Sequence, residues 1–446
     1  MKFVVIGGDA AGMSAASRAR RLLPDLEVTV LEMTEDVSYS ACGMPYNIAD
    51  PDRDIDDLVV RRADVFRQKQ QIDLRTGHRA DVIDPRKRTV SGHGPHGEPF
   101  TLAYDKLLIA TGAVPVMPQV PGHDLPGVLG LKSLADGRRI KQFLAGPAVK
   151  RVVIMGMGYI ALEMCEALRG RGIAVDMVKP RARFLPAMAS DLAQVVHDEL
   201  TANGVGLHLG RTVERIEETP DGLVVVCNGL RLEADMVLSA MGVLPSSTLA
   251  KEAGLDLGPA DAVAVDGYLR TSDAHIYAAG DCADAIHVVT GQKTWIPLAL
   301  RANRAGWAVA DNVCGNAVAL DGVAGTGVFK VFGLEVARTG LTVDESRSAG
   351  FDPVSARIQT RSRAHAHPGA GKIWVEMVGD RASGRLLGVQ MVGTEGVAHR
   401  VNAPAVALHG QMAVARFAQS DLAYAPPFGP TWDPLLVAAN QLLKQL

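Results

Sequence analysis

The residues best equipped for chemistry are one isolated cysteine and the acids, phenols and cations spaced around glycine-rich turns. Cys42 lies in the string Ser38-Tyr39-Ser40-Ala41-Cys42-Gly43-Met44-Pro45-Tyr46, with no second cysteine nearby. One thiol can cycle through a mixed disulfide, a persulfide or a sulfenate, but it cannot close the internal disulfide of a dithiol enzyme. Proline suits a first helical turn. Cys42 is therefore expected to cap a helix N-terminus, where the dipole lowers the thiol pKa. Cys165, Cys227, Cys282 and Cys314 are scattered and never form CxxC. They read as structural thiols of a protein in a reducing cytoplasm, with no disulfide framework and no zinc site.

The elements that must position Cys42 come in a repeated pattern. Strand Phe3 to Ile6 runs into Gly7-Gly8-Asp9-Ala10-Ala11-Gly12, an Ala/Arg helix, a strand Val28 to Leu31, and Glu32. Gly7 and Gly12 fit the first and third glycines of a dinucleotide turn, and Asp9 stands at the second. The pattern returns as strand Val152 to Met155, then Gly156-Met157-Gly158-Tyr159-Ile160-Ala161, a helix to about Arg169, and strand Ala174 to Val178. Two such units imply two nucleotides facing each other, FAD on the first and NAD(P)H on the second.

Further turns support this pairing. Ala110-Thr111-Gly112 ends an apolar strand, and Gly242 ends its echo in the second unit. Asp281 follows the strand at Ile276, where it would meet the ribityl chain and phosphates of a flavin or cap a helix. Glu32 suits a ribose diol, and Ala299 is placed in the same flavin site. Tyr159 and Ile160 begin the second helix. Glu163, one turn on, faces the flavin–nicotinamide junction or is an acid favoured by the dipole. Lys179 stands where an NADH site has an acid, with Arg181 and Arg183 behind it. Cations there favour a 2′-phosphate, so NADPH is the expected donor, with NADH possible.

From about Gly325 the pattern turns to shorter β-like stretches (Gly327 to Phe332, Ile373 to Met377, Leu386 to Met391), helices and a Pro-rich tail. The expected architecture is α/β: two Rossmann-like three-layer nucleotide-binding domains and a C-terminal α+β domain, which the resemblance described below implies to be a dimerisation domain. The boundaries read as 1–113 with 243–322 for FAD, 114–242 for NAD(P) and 323–446 for dimerisation. The 446 residues carry a net charge of −3 and are 48% apolar. That balance gives no pull toward nucleic acid or membrane, and the opening residues read as a strand rather than a leader, consistent with a cytoplasmic protein.

The segment Tyr39 to Tyr46 resembles the active-site signature of coenzyme A-disulfide reductases and single-cysteine NAD(P)H oxidases, members of the FAD-dependent pyridine nucleotide-disulfide oxidoreductases. The resemblance covers essentially the full length and includes the tail Tyr424-Ala425-Pro426-Pro427-Phe428. It implies a homodimer with shared active sites, in which Tyr424 reaches the partner's sulfur as an acid. His367, in Ala364-His365-Ala366-His367-Pro368-Gly369, stands where relatives often carry a tyrosine. Either an imidazole takes over that acid role or the role is lost. No acid or cysteine accompanies the histidine pair, so no metal is expected. Ala10 replaces a histidine of related peroxidases. Arg18 and Arg21 on the first helix suit the phosphates of coenzyme A. Ser38, Tyr39, Arg301, Asn303 and Arg304 are further substrate-side candidates. The implied reaction is NAD(P)H-dependent reduction of a low-molecular-weight disulfide, persulfide or polysulfide through Cys42. An NAD(P)H oxidase working through a Cys42 sulfenate is one alternative. An electron-transfer flavoprotein docking a ferredoxin-type partner is another.

Overall fold

The strand Lys2–Ile6 is buried from Phe3 onward and is flanked on both sides by parallel strands, Glu27–Leu31 and Lys106–Ile109. Parallel sheets are covered on both faces, which is why these strands read as unbroken apolar runs. The computed structural model describes residues 1–146 and 149–446. The first sheet runs Ile276–Ala278, Lys106–Ile109, Lys2–Ile6, Glu27–Leu31, Asp73–Arg75.

The second sheet repeats this layout as Gly206–Leu209, Ala174–Lys179, Arg151–Met155, Met236–Ser239, Val128–Gly130. In each unit the first βαβ strand is central, and the second and third strands lie to one side. Each unit also inserts a three-stranded antiparallel meander before the strand on its other side. These are Arg79–Asp84, Thr89–His93, Pro99–Ala103 and Val213–Thr219, Gly222–Cys227, Leu230–Ala234. The two chain passages between the units pair with each other as the strands Ala113–Pro115 and Val243–Pro245.

Small residues let helices approach closely in the first unit. The Ala10–Leu22 helix buries Ala11, Ala15 and Ala19 against Ala302, Ala305 and Ala308 of the Ala299–Val313 helix. The C-terminal unit is an antiparallel sheet ordered Gly327–Val331, Leu334–Gly340, Leu386–Gly393, Lys372–Asp380, Pro353–Arg361. Leu334–Gly340 and Pro353–Arg361 are strands beyond those read from sequence. The core of this unit joins Val375, Met377, Val389 and Met391 to Phe417, Leu435 and Leu442. Its first strands also close onto the second unit, where Val331, Leu334 and Val336 share a core with Met164 and Leu168. Among the described residues no helix is long and apolar enough to cross a membrane.

Candidate active site

The first glycine turn closes because Gly7 and Gly12 lack side chains. Gly7 sits at φ +110°, and a Cβ on Gly12 would lie 1.9 Å from the Gly7 carbonyl oxygen. The Ala10–Leu22 helix can therefore begin directly against the strand end, offering free N–H groups and its positive dipole end to a diphosphate. Glu32 accepts from Gly8 N at 2.7 Å through Oε2 and from Thr34 N at 2.8 Å through Oε1. Oε2 keeps a lone pair for a ribose hydroxyl. Ala110 and Gly112, the latter at φ +69°, continue the adjacent strand, and Thr111 Oγ1 donates to the Ser246 carbonyl at 2.6 Å. Asp281 pairs with Lys132 at 3.0 Å, and Ala299 opens the Ala299–Val313 helix. These groups gather at the carboxyl ends of parallel strands, where the strand order reverses about Lys2–Ile6. A glycine cradle, a helix start, a ribose acid, a second acid and a cation for phosphate charge together fit FAD.

The Cys42 segment is tied to that turn. Ser38, at φ +49°, donates its N–H to the Gly8 carbonyl at 3.0 Å, and Tyr39 N donates to Asp9 Oδ1 at 3.3 Å. Burial raises the Tyr39 phenol above its usual value, so it stays neutral. Ala41–Gly43 then forms one 3-10 turn, and the Met44–Ala49 helix follows with Gly43 as N-cap. The expected role of Cys42 as a helix cap with a lowered pKa is corrected here. Cys42 is reachable from solvent, but the protein around its sulfur removes enough water to raise the thiol. The charge of Glu163 raises it further, and Lys132 opposes both. A helix of six residues carries too little dipole to reverse this. Tyr46 Oη donates to Glu163 Oε1 at 2.9 Å. Burial raises the Glu163 carboxyl as well, with the Tyr46 bond pulling the other way.

The second turn copies the first. Gly156 sits at φ +118°, and a Cβ there would lie 2.2 Å from the Ala240 carbonyl, as one on Gly7 would from Ala110. Gly158 is the N-cap of the Tyr159–Gly170 helix, which places Tyr159 and Ile160 in its first turn. Gly242, at φ +115°, accepts from Val116 N. Lys179 ends the Ala174–Lys179 strand, and burial and the charge of Arg181 lower its ammonium. Arg183 does not join them. Its guanidinium pairs with Asp344 at 3.1 Å and donates to the Met188 carbonyl, so the expectation that it meets a 2′-phosphate is withdrawn.

The segments that carry His367 and Tyr424 are tied to each other in the C-terminal unit. Ala364 N donates to the Pro426 carbonyl at 3.2 Å, and Arg400 bonds Asp433, Ser362 O and Phe428 O at 2.7, 3.3 and 2.9 Å. This guanidinium pins the histidine loop and the Pro-rich tail to each other. His367 Nδ1 donates to the Pro368 carbonyl at 3.0 Å, which leaves Nε2 free. Tyr424 is 50% exposed, and Phe428 and Trp432 more so, at 79% and 64%.

The cations expected on the substrate side separate. Arg18 turns away from Arg21, holds Asp311 at 2.8 and 3.0 Å and lies over Trp307, so the two do not share one anion site. Arg21 instead lines an open pocket of about 200 Å³ with Ser17, Arg20, Lys69, Gln70 and Gln71. Asn303 accepts from Ser14 Oγ at 2.7 Å, and Arg304 is exposed. Arg301 is buried and donates to the carbonyls of Gly280, Ala283 and Asp284, which removes it from the substrate side. Sequence reading missed Lys132, Tyr46 and Lys69. The Ser133-x-x-Asp136 capping box marks the helix beside Lys132, but nothing local marks the lysine's partner. Among the described residues no group of three or more His, Cys, Asp or Glu could hold a metal ion.

Comparison with known proteins places this geometry. The family model for pyridine nucleotide-disulphide oxidoreductases matches residues 1–306, and the model for their dimerisation domain matches residues 327–434. A NAD(P)H sulfur oxidoreductase (CoA-dependent) of Pyrococcus furiosus is 38% identical over 99% of both chains. An NADH oxidase of Methanocaldococcus jannaschii is 32% identical over 100% of this chain and 99% of its own. The solved structure of a NAD-dependent persulfide reductase from A. fulgidus superposes with a TM-score of 0.96 at 36% identity, covering 100% of this chain and 83% of that one.

Proposed function

The chain belongs to the pyridine nucleotide-disulphide oxidoreductase family, and from that premise we propose that it reduces a low-molecular-weight disulfide, persulfide or polysulfide at Cys42, with coenzyme A the leading thiol. It is an FAD-dependent NAD(P)H oxidoreductase and a homodimer. One observation carries the reading of Cys42. This exposed thiol is held between the two nucleotide turns, bonded to the first through Ser38 and Tyr39 and linked to the second through Tyr46 and Glu163.

Gly7, Gly12, Glu32, Asp281 and Lys132 would hold FAD, with Ala110, Thr111, Gly112 and Ala299 lining the same site. Bound there, FAD supplies two-electron transfer from a nicotinamide to sulfur. Gly156, Gly158, Tyr159, Ile160 and Gly242 would seat the nicotinamide nucleotide. Lys179 and Arg181 make it NADPH, because two cations at the end of that strand suit a 2′-phosphate. Cys42 gives its proton to solvent, its thiolate attacks one sulfur of a disulfide RSSR, a bond forms from Sγ to SR as the S–S bond breaks, and RS⁻ leaves. RS⁻ takes its proton from an acid. Tyr424 of the partner subunit fills that role, with the partner's His367 beside it, which makes each active site a product of both chains. The exposed aromatic tail around Tyr424 supports this arrangement. Arg21 and Lys69 line a basic pocket suited to the phosphates of coenzyme A. The five free cysteines suit a reducing cytoplasm.

Replacing Cys42 by Ser and measuring NADPH-dependent reduction of coenzyme A disulfide and polysulfide tests the proposal. Turnover that survives in this variant excludes a cysteine-centred mechanism. The methanogen relative named NADH oxidase favours a second reading, oxygen reduction with a Cys42 sulfenate. Oxygen uptake and thiol release followed on one sample separate the two. Uptake of two rather than four electrons per subunit would instead point to a flavin-only carrier.

A further inference from the structure

We propose that Asp9 makes FAD binding draw a proton from solvent, so that the protein holds its cofactor more tightly as the pH falls. The inference rests on the FAD reading above and concerns the cofactor site rather than the sulfur chemistry.

Asp9 occupies the second glycine position of the turn, where a diphosphate comes closest to the backbone. It precedes the Ala10–Leu22 helix but makes no capping bond to it, and its Oδ1 accepts from Tyr39 N instead. The Cys42 thiol is coupled to the carboxyl by charge, and four further groups face it from four elements. Tyr39 belongs to the Cys42 segment, Glu32 ends the second strand, Asp281 follows the Ile276–Ala278 strand, and Lys132 precedes the Leu134–Ala145 helix. Glu32 is the acid suited to the adenosine ribose and Asp281 the acid suited to the ribityl chain. The charges of both acids act on Asp9, which stands in the turn that would hold the diphosphate. Lys132 is the only cation of the four, and it already pairs with Asp281.

Burial already pushes the Asp9 carboxyl up to about 6, against the Tyr39 N–H bond and the Lys132 charge, which lower it, and with Glu32 and Asp281 adding to the rise. A diphosphate brings further negative charge to the same turn and raises it again. The sign follows. Below the value in the free protein Asp9 is already protonated, and FAD binding takes up nothing. Between that value and the higher value in the complex, binding takes up to one proton from solvent. The dissociation constant then rises by up to about tenfold per pH unit until the pH reaches the value in the complex.

The holoenzyme is diluted in buffers from about pH 5.5 to 8.5, and free FAD is separated by ultrafiltration and measured by fluorescence. Wild type should release progressively more FAD above pH 6. Asp9→Asn and Asp9→Gly should retain FAD at pH 8 and lose most of that dependence, with circular dichroism showing that each is folded. If Asp9→Gly does not fold, Asp9→Asn decides. Calorimetry of FAD binding to wild type in buffers of different ionisation heat reads the proton uptake without any variant. A flat wild-type profile, an unchanged slope in Asp9→Asn, or no proton uptake overturns the proposal. A protein that never takes up FAD would instead sink the parent reading.

Discussion

The hydroxyl of Tyr46 donates to Glu163 at 2.9 Å across 117 residues of sequence. That bond joins the short helix after Cys42 to the Tyr159–Gly170 helix of the second nucleotide unit. It also fixes a carboxylate close enough to raise the Cys42 thiol. Glu163→Gln keeps a hydrogen-bond acceptor and removes the charge. The Cys42 thiol should then ionise at lower pH, and alkylation by iodoacetamide at neutral pH should be faster than in wild type. The exposed position of Cys42, against buried or half-buried sites for the other four cysteines, lets mass spectrometry read this one site.

The cationic end of the Ala174–Lys179 strand predicts coenzyme preference. A hydrogen bond to a charged group contributes about 1.5–3 kcal/mol. Lys179→Glu should therefore shift the ratio of kcat/KM for NADPH over NADH toward NADH by about 10–100-fold, and Arg181→Ala should act in the same direction. Arg183→Ala should leave the ratio unchanged, because that guanidinium is held by Asp344 and the Met188 carbonyl. Steady-state kinetics with both nucleotides checks all three.

Gly12→Ala tests the closure of the first turn. A Cβ 1.9 Å from a backbone oxygen forces the helix start away from the strand. The overpacking should cost about 1–3 kcal/mol. The purified protein should contain less FAD than wild type and melt at lower temperature.

Arg400 and Asp433 form a pair with side chains only 12% exposed. Removing one partner of a largely buried pair costs about 3–5 kcal/mol. Arg400→Ala should therefore destabilise the C-terminal unit by about that amount and free the tail from the His367 loop. Denaturant unfolding should show the loss, and limited proteolysis should cut near Phe428.

Shared active sites are testable with mixed dimers. A dimer of one Cys42→Ser subunit and one Tyr424→Phe subunit contains one intact site if Tyr424 serves the partner's Cys42. Its turnover should be about half that of wild type, whereas sites confined within one chain would leave it no better than its parents.

The glycine turns were legible because their requirements are local. A positive φ at Gly7 and a backbone contact at Gly12 demand glycine wherever such a turn is built. The same holds for the long apolar strands of the parallel sheets. The meanders escaped notice because strands such as Val213–Thr219 carry charged residues on their exposed face. Lys132 escaped because its partner Asp281 is 149 residues away. The Cys42 pKa went the wrong way for a related reason. Proline beside a cysteine signals a helix start, but the groups that set the thiol's environment come from Glu163, Lys132 and other distant segments. Arg18 and Arg183 looked available because their carboxylate partners, Asp311 and Asp344, are also far along the chain.

The pairing of Ala113–Pro115 with Val243–Pro245 has a mechanical consequence. The chain enters and leaves the second nucleotide unit through one short ribbon, reinforced by Ser246 N bonding Gly112 O at 2.9 Å. Such a ribbon resists stretching and shear, but it twists. Beyond this ribbon, the two units are joined by the Tyr46–Glu163 bond and by the core that Met44, Ile48 and Leu58 share with Leu134 and Leu162. A proline replacing Leu244 would remove a strand-pairing residue of the ribbon while leaving that shared core in place.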